Sequence, residues 1–258
     1  MNLGSVSLDQ LLRLETAGMA SSSRDKPLRI LVANRGEIAV RLQHAILALG
    51  HVPFGIFSES EGPNAPHLIH LPANQRCALP GSGSAAYLEA ESILALAKHC
   101  RIDAVAPGYG FLSESSAFAA KVEEAGLIWI GPRPDTLRLF GDKHRAKEFA
   151  KQCGAPVLPS TSAAANADEL RAFATSLPTG SKLILKALAG GGGRGIRHVH
   201  DLSQLDELLS SCKREAKSSF GNDAVFGEPF LVGARHIEVQ VLGDGQGGVS
   251  HLGERECR

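Results

Sequence analysis

Short apolar runs alternate with helical segments through the first half of the chain, and this alternation constrains the fold more than any other feature. The runs occupy residues 30–33, 52–57, 103–106 and 127–130. Each has the length and character of a buried parallel strand. In the first intervening segment, Ile38, Leu42 and Ile46 fall on one helical face, and Gly50 stands where a C-terminal cap belongs. The pattern predicts an open parallel α/β sheet covered by helices.

The rhythm changes after residue 131 and predicts a second, smaller α+β domain. It begins with a helix at 143–152 and continues with strands at 183–187 and 196–199 and an amphipathic helix from about residue 202. Strict alternation of Ile237, Val239 and Val241 with polar residues then predicts a half-buried strand, and glycine-rich turn residues lead into a partner strand at 249–252. We therefore expect a disordered extension over 1–27 and two domains, over 28–142 and 143–258. Residues 58–86, rich in Pro, Gly and Asn, are interpreted mainly as a loop.

The strongest chemical signal is a run of glycines beside two basic residues. The run and its flanks are Lys186, Gly190, Gly191, Gly192, Gly193, Arg194 and Gly195. Successive glycines let backbone N–H groups approach an anion, and Lys and Arg side chains suit phosphate. A Walker A loop is excluded, because Ile196 and Arg197 replace its Lys-Ser/Thr pair and because the segment joins two strands. We predict a phosphate-binding hairpin over a nucleotide; a simple glycine linker is the alternative.

Several other function classes are disfavoured. The end of the first strand, residues 33–37, lacks the GxGxxG fingerprint, which argues against an NAD-dependent oxidoreductase. The 27 basic and 27 acidic residues balance without long blocks, which argues against nucleic acid or a membrane surface as the main partner. Five widely spaced cysteines indicate reduced thiols and neither a disulfide frame nor a zinc site.

Arg35 and Glu37 are either functional or a buried charge pair at the strand-to-helix turn.

The composition of residues 1–27 indicates where in the cell the protein is located. No apolar run approaches the ~20 residues of a membrane-spanning helix, and this segment lacks the apolar core of a signal peptide. Two arginines and the serine run 21–23 raise the question of a mitochondrial presequence, but Asp9, Glu15 and Asp25 argue against one. We expect a cytoplasmic protein.

Five motifs occur together and in a fixed order. They are residues 30–39, 107–114, 141–143, 186–195 and 235–241. Together they resemble the biotin carboxylase component of biotin-dependent carboxylases, a branch of the ATP-grasp enzymes. The resemblance implies a Rossmann-like pre-ATP-grasp domain, a lid domain bearing the glycine run, and the start of the main ATP-grasp sheet, which is left incomplete.

The resemblance also implies site residues and chemistry. Lys143 and Lys186 match lysines that contact nucleotide phosphates, the stretch from Glu228 to Leu231 is similar to the strand edge that meets adenine, and His236 matches a nucleotide-contacting position. Pro229 departs from a common lysine. The implied reaction uses ATP and Mg²⁺ to convert bicarbonate to carboxyphosphate, whose CO₂ passes to carrier-bound biotin. Biotin carrier and carboxyltransferase domains are the implied partners, and a homodimer is left open.

The family pattern continues beyond the last residues of this sequence. By resemblance, the carboxylates for Mg²⁺, the bicarbonate-binding arginine and the general base belong to that continuation, so no catalytic or metal-ligating residue is assigned and the chain alone is expected to be inactive. A non-catalytic nucleotide-binding or interaction module that pairs with a full-length carboxylase is the alternative. Residues 243–247, 253–257 and 143–146 look most like urea carboxylase, with acyl-CoA and pyruvate carboxylases left open.

Overall fold

A computed structural model describes residues 26–189 and 194–257. Within them the chain forms two compact units, the first running to Arg138 and the second from Leu139. Most of the predicted N-terminal extension and the predicted phosphate-binding glycines 190–193 lie outside the described residues. No helix in the described part of the chain has both the length and the apolar character needed to cross a membrane.

The first unit is a five-stranded parallel sheet with helices, as the alternation of apolar runs predicts. In chain order its elements are β1 (Arg29–Val32), α1 (Gly36–Ala48), β2 (Val52–Ser58), β3 (Arg76–Leu79), α2 (Ala90–His99), β4 (Ala104–Ala106), α3 (Ser116–Glu124), β5 (Ile128–Trp129) and α4 (Pro134–Phe140), the last crossing the boundary between the units. The strand order is β3-β2-β1-β4-β5, with all pairs parallel. Leu31 and Val105 are fully buried at its centre.

Two predictions for this unit are wrong in detail. The segment interpreted as a loop contains β3, an edge strand in which Cys77 and Leu79 are buried while Ala78 is exposed. Two buried side chains are too few to show, in the sequence, the alternation of apolar and polar residues by which a strand is recognised. The helical segment expected between the apolar runs at 52–57 and 103–106 is divided into a 3₁₀ segment, Gly83–Leu88, and α2.

The turn after β1 is held by Asn34. Its buried amide donates hydrogen bonds to the carbonyls of Pro107 at 2.7 Å and Tyr109 at 2.9 Å, which joins the carboxyl ends of β1 and β4. The buried pair between Arg35 and Glu37 is not formed, because both residues are exposed. Arg35 instead binds Glu61, with 2.6 Å between the guanidinium and the carboxylate.

The second unit contains two separate antiparallel sheets. In chain order its further elements are α5 (Lys143–Gln152), α6 (Ala167–Ser176), β6 (Lys182–Ala187), β7 (Ile196–Val199), α7 (Leu205–Phe220), β8 (Val225–Phe230), β9 (His236–Gly243) and β10 (Val249–Cys257). One sheet has the order β7-β6-β8 and the other is the β9–β10 hairpin. Leu185, Leu205 and Cys212 are fully buried where α7 packs on the first sheet.

The hairpin is confirmed, but the prediction of a half-buried strand is wrong. Ile237, Val239 and Val241 are 45%, 50% and 54% exposed. Alternation determines which side of a strand is apolar, whereas burial requires a second layer against that side. Within residues 26–189 and 194–257, β9 pairs with β10 and these side chains face solvent.

Candidate nucleotide-binding site

A buried carboxylate, Glu228, lies between two lysine ammonium groups. Lys147 Nζ is 2.5 Å from Oε1 and Lys186 Nζ is 2.6 Å from Oε2. The Glu228 side chain is only 7% exposed. Because each oxygen accepts a charge-assisted hydrogen bond from a different lysine, the carboxylate is satisfied although it is buried.

Strand register and a helix cap bring these groups together. Glu228 on β8 pairs with Ile184 of β6, so Lys186 is its diagonal neighbour on the same face. Helix α5 begins at Lys143, and the carboxylate of Asp142 caps it by accepting hydrogen bonds from the backbone of its first turn at 2.9 and 3.0 Å. Lys143 and Lys147 are four residues apart, so both lie on one face of this helix.

The charges in this cluster shift each other's pKa. Burial raises the pKa of Glu228, but the bonds from Lys147 and Lys186 outweigh burial and leave the pKa below its ordinary value. Burial lowers the pKa of Lys143, and the positive charge of Lys186 lowers it further, with partial compensation from Glu228. Lys143 therefore adds a further positive charge close to Lys186, and a bound anion would relieve the repulsion between these two ammonium groups.

The base of the glycine run is tightly packed. The backbone N–H of Ala187 donates to the Gly195 carbonyl at 2.7 Å, and the Cys212 thiol donates to the same carbonyl at 3.3 Å. Gly195 has φ +67°, and a Cβ at this position would lie 2.6 Å from the Cβ of Ala187. Glycine is therefore required here. The prediction that the run joins two strands is confirmed, because β6 and β7 pair directly on either side of it.

The outer edge of β8 carries the stretch predicted to meet adenine. Gly227 turns its backbone away from β6: its N–H donates to Thr161 Oγ1 at 2.9 Å and its carbonyl accepts from the Thr161 N–H at 3.0 Å. Backbone direction alternates along a strand, so the Pro229 carbonyl faces the same outer side. Leu231, just beyond the strand, is 52% exposed. The side chain of Glu228 is directed to the lysines.

The predicted site residues fall into four places. Lys143, Lys186 and Glu228 share the charged cluster, and Gly195 with the exposed Arg194 forms the described base of the glycine run. Leu231 follows β8, and His236 begins β9 in the second sheet. Lys147 was missed; its four-residue spacing from Lys143 was the available signal.

Two family models match nearly the whole described chain. Residues 26–137 match the biotin carboxylase N-terminal domain, and residues 142–258 match the ATP binding domain of the carbamoyl-phosphate synthase L chain. The chain belongs to the biotin carboxylase family. A Rossmann-like domain followed by part of an ATP-grasp domain is thus confirmed as the fold class.

Relatives agree with this assignment. The chain is 40% identical to biotin carboxylase of Pseudomonas aeruginosa over 231 residues, covering 89% of this chain and 51% of that protein. It is 42% identical to pyruvate carboxylase of Bacillus subtilis over 233 residues, covering 89% of this chain and 20% of that protein. The chain thus spans about half the length of the biotin carboxylase. These relatives give no support to the urea carboxylase branch.

Solved structures show the same fold. The Campylobacter jejuni biotin carboxylase, in a β,γ-ATP complex, matches with a TM-score of 0.85 and 36% identity, covering 92% of this chain and 52% of that one. The biotin carboxylase domain dimer of Hydrogenobacter thermophilus 2-oxoglutarate carboxylase, with MgADP, ADP and bicarbonate, matches with a TM-score of 0.82 and 38% identity, covering 89% and 50%.

Proposed function

We propose that this chain binds ATP as the nucleotide-binding part of a biotin carboxylase. The observation that carries the proposal is the placement of Lys147 and Lys186 on the buried Glu228 carboxylate, with Lys143 close by, at the base of a glycine run in a chain of this family. A triphosphate supplies anionic oxygens, and lysine ammonium groups bind phosphate as point charges.

In this proposal the residues have different roles. Lys143, Lys186 and Arg194 contact the phosphates, together with backbone N–H groups of residues 190–193 and Gly195. Lys147 keeps Glu228 charged and in place while Lys186 turns toward the ligand. The carbonyl of Pro229 and the backbone of Leu231 face the adenine amino group and ring. Glu228 lies in the same stretch, but its side chain holds Lys147 and Lys186 and does not contact adenine. His236 completes the nucleotide site from β9.

The proposed reaction of the whole protein is the ATP-dependent carboxylation of biotin on a carrier, with bicarbonate as the carboxyl source. The similar C. jejuni structure is a β,γ-ATP complex, and the similar H. thermophilus structure contains MgADP and bicarbonate. These ligands support ATP, Mg²⁺ and bicarbonate as ligands of this protein. Mg²⁺ would neutralise phosphate charge. Both oxygens of Glu228 are engaged by lysines, so we assign no Mg²⁺ ligand in this cluster.

The organisation around this site is part of the same proposal. The pre-ATP-grasp domain extends over 28–142 and the partial ATP-grasp domain over 143–258. Biotin carrier and carboxyltransferase domains are the partners, and a homodimer is supported by the dimeric H. thermophilus relative. The acidic residues of the first 27 positions support a cytoplasmic location, which cell fractionation would test.

Calorimetry with MgATP on residues 1–258 tests nucleotide binding. We expect Lys186→Met to weaken affinity by about tenfold or more, since it removes one charge-assisted contact. Lys182→Met is the matched control, because Lys182 lies on the same strand but is exposed. The affinity of this variant for MgATP should equal that of the parent chain. Equal affinities for both variants and the parent chain would contradict the assignment of the phosphate site.

A second assay addresses the chemistry. ATP hydrolysis by residues 1–258 should show no dependence on added bicarbonate and biotin, because we assign no catalytic group within them. Bicarbonate-dependent turnover would show that a catalytic residue has been overlooked in this part of the protein.

A further inference from the structure

Three different metal-binding side chains converge on the β9–β10 hairpin. His236, Glu238 and Cys257 each offer one ligand atom, and these atoms lie within 4.8 Å of one another. His236 pairs directly with Cys257 in the strand register, and Glu238 is two residues further along β9. Side chains two residues apart on a strand lie on the same face, and a directly opposite residue on the partner strand shares that face. The convergence of the three side chains therefore follows from the strand pairing.

A β-bulge selects the cysteine. The register shifts by one residue between His251 and Glu254, and beyond it Arg255 faces Glu238 and Cys257 faces His236. Without this shift, the register that pairs His251 with Val241 would continue and place Glu256 opposite His236, which would turn Cys257 to the other side. The bulge therefore brings a thiol to the face that already carries an imidazole and a carboxylate.

The donor set determines the kind of ion. Imidazole, thiolate and carboxylate together are ligands of Zn²⁺ and similar transition metals, whereas Mg²⁺ and Ca²⁺ take oxygen ligands. Bond lengths of about 2.0–2.3 Å place tetrahedral ligand atoms roughly 3.5 Å apart, so each pair of atoms, now within 4.8 Å, needs to close by at most about 1.3 Å. Rotation of side chains on an exposed hairpin supplies this movement.

Arg255 is the group an ion would displace. Its guanidinium binds Glu238, and the Arg255 side chain is 74% exposed. An exposed ion pair of this kind contributes little to stability, so Arg255 can move into water when a divalent cation takes its place. The Cys257 thiol would release its proton on binding.

We propose that His236, Glu238 and Cys257 form a binding site for a divalent transition-metal ion of the Zn²⁺ class, with one coordination position open to solvent. Three protein ligands and an open position allow an exogenous ligand to complete the tetrahedron. Because His236 also belongs to the nucleotide site, the ion and ATP compete; this consequence alone rests on the proposed function.

Cobalt(II) is the direct probe, because a thiolate ligand gives it a charge-transfer band in the near ultraviolet. Titration of residues 1–258 with Co²⁺, under reducing conditions and without nucleotide, should give this band, and added Zn²⁺ should abolish it. Cys257→Ser should remove the band. His236→Ala should weaken Co²⁺ affinity by at least about tenfold, because loss of even a residue that only hydrogen-bonds to a metal ligand weakens metal affinity by about this factor.

Cys153→Ser and His251→Ala are the controls. Cys153 is exposed and lies outside the cluster, and His251 is exposed on β10. Both should bind Co²⁺ like the parent chain, and circular dichroism should show all four variants folded. Absence of the band, or its retention in Cys257→Ser, overturns the site. A normal band with ATP affinity unaffected by Zn²⁺ overturns the nucleotide role of His236 and leaves the metal site standing.

Discussion

The Lys186 ammonium donates a hydrogen bond to Glu228 Oε2 over 2.6 Å, between neighbouring strands β6 and β8. Lys147 occupies the other carboxylate oxygen. One buried negative charge thus holds two positive charges that would otherwise repel each other. Both lysines are thus in place before any ligand binds, and Glu228 is the residue that holds them there.

Glu228→Gln should therefore destabilise the second unit. The neutral amide leaves Lys147 and Lys186 uncompensated beside a buried position, and we expect a loss of about 1–3 kcal/mol. Hydrogen exchange of peptides from β6 and β8 measures it locally. Glu215→Gln is the control: its pair with Arg197 is about one third exposed and should be worth less than about 1 kcal/mol. An equal effect of both changes would show that burial of Glu228 has no special consequence.

Glu61 should make the first unit sensitive to acid. Burial opposes its ionisation, but hydrogen bonds from Tyr87, Ser58 and Arg35 outweigh burial and lower its pKa from 4.5 to about 2. A depressed folded-state pKa stabilises the fold above the unfolded value, so this contribution is complete above about pH 4.5 and is lost as the pH falls toward 2. A shift of this size corresponds to about 3 kcal/mol, and solvent screening of the partly exposed pair with Arg35 reduces the expected contribution to about 2–3 kcal/mol.

Urea unfolding measured from pH 6 to 3, by the fluorescence of the single tryptophan, checks this. Trp129 is buried in the first unit and reports on it directly. Glu61→Gln should flatten the pH dependence of the free energy of unfolding. Glu91→Gln, which removes an exposed partner of Lys121, should leave that dependence unchanged. Identical pH profiles for Glu61→Gln and the parent chain would rule out the proposed contribution.

Gly195→Ala should cost more stability than Gly180→Ala. Both glycines have positive φ, +67° and +87°, so each alanine incurs about 1–2 kcal/mol of backbone strain. Only Gly195 would also bring its Cβ to 2.6 Å from Ala187, within a packed strand pair. We expect a total of at least about 2–3 kcal/mol at Gly195 by urea denaturation with circular dichroism. Equal losses would show that β7 can move away from β6.

Cysteine alkylation near neutral pH should follow burial. Cys77 is buried, and burial together with the neighbouring Cys100 thiol raises the pKa of Cys77 to about 12. Burial also raises the pKa of Cys212. Cys153 is exposed and should react first, because the thiolate is the reactive species. Peptide mapping by mass spectrometry after brief treatment with iodoacetamide gives the order; equal rates at Cys77 and Cys153 would contradict it.

The elements that could be predicted are those whose own residues carry the signal. The central strands β1 and β2 are continuous apolar runs because both of their faces are covered. The edge strand β3 buries only Cys77 and Leu79, and its neighbours are turn-forming residues, so its period is hidden. The exposed face of β9 shows the reverse limit: alternation is a local property, and burial depends on what packs against it.

The site divides in the same way. Lys186 could be found because it precedes the glycine run on a strand. The spacing of Lys147 from Lys143 indicates a shared helix face, but its partner Glu228 is 81 residues away, and only the packing of α5 brings the two together. The convergence of His236 with Cys257 depends on a single bulge in the hairpin, and no spacing rule along the sequence contains it.

The two sheets of the second unit are secured by different forces. The lysine-bearing sheet rests on a hydrophobic core with α6 and α7, and within the described residues that core draws no member from β9 or β10. Backbone pairing and a turn stabilise the hairpin. Warming should therefore loosen His236 before it disturbs Lys186, so the parts of the proposed nucleotide site that the two sheets carry can fail, or be redesigned, one at a time.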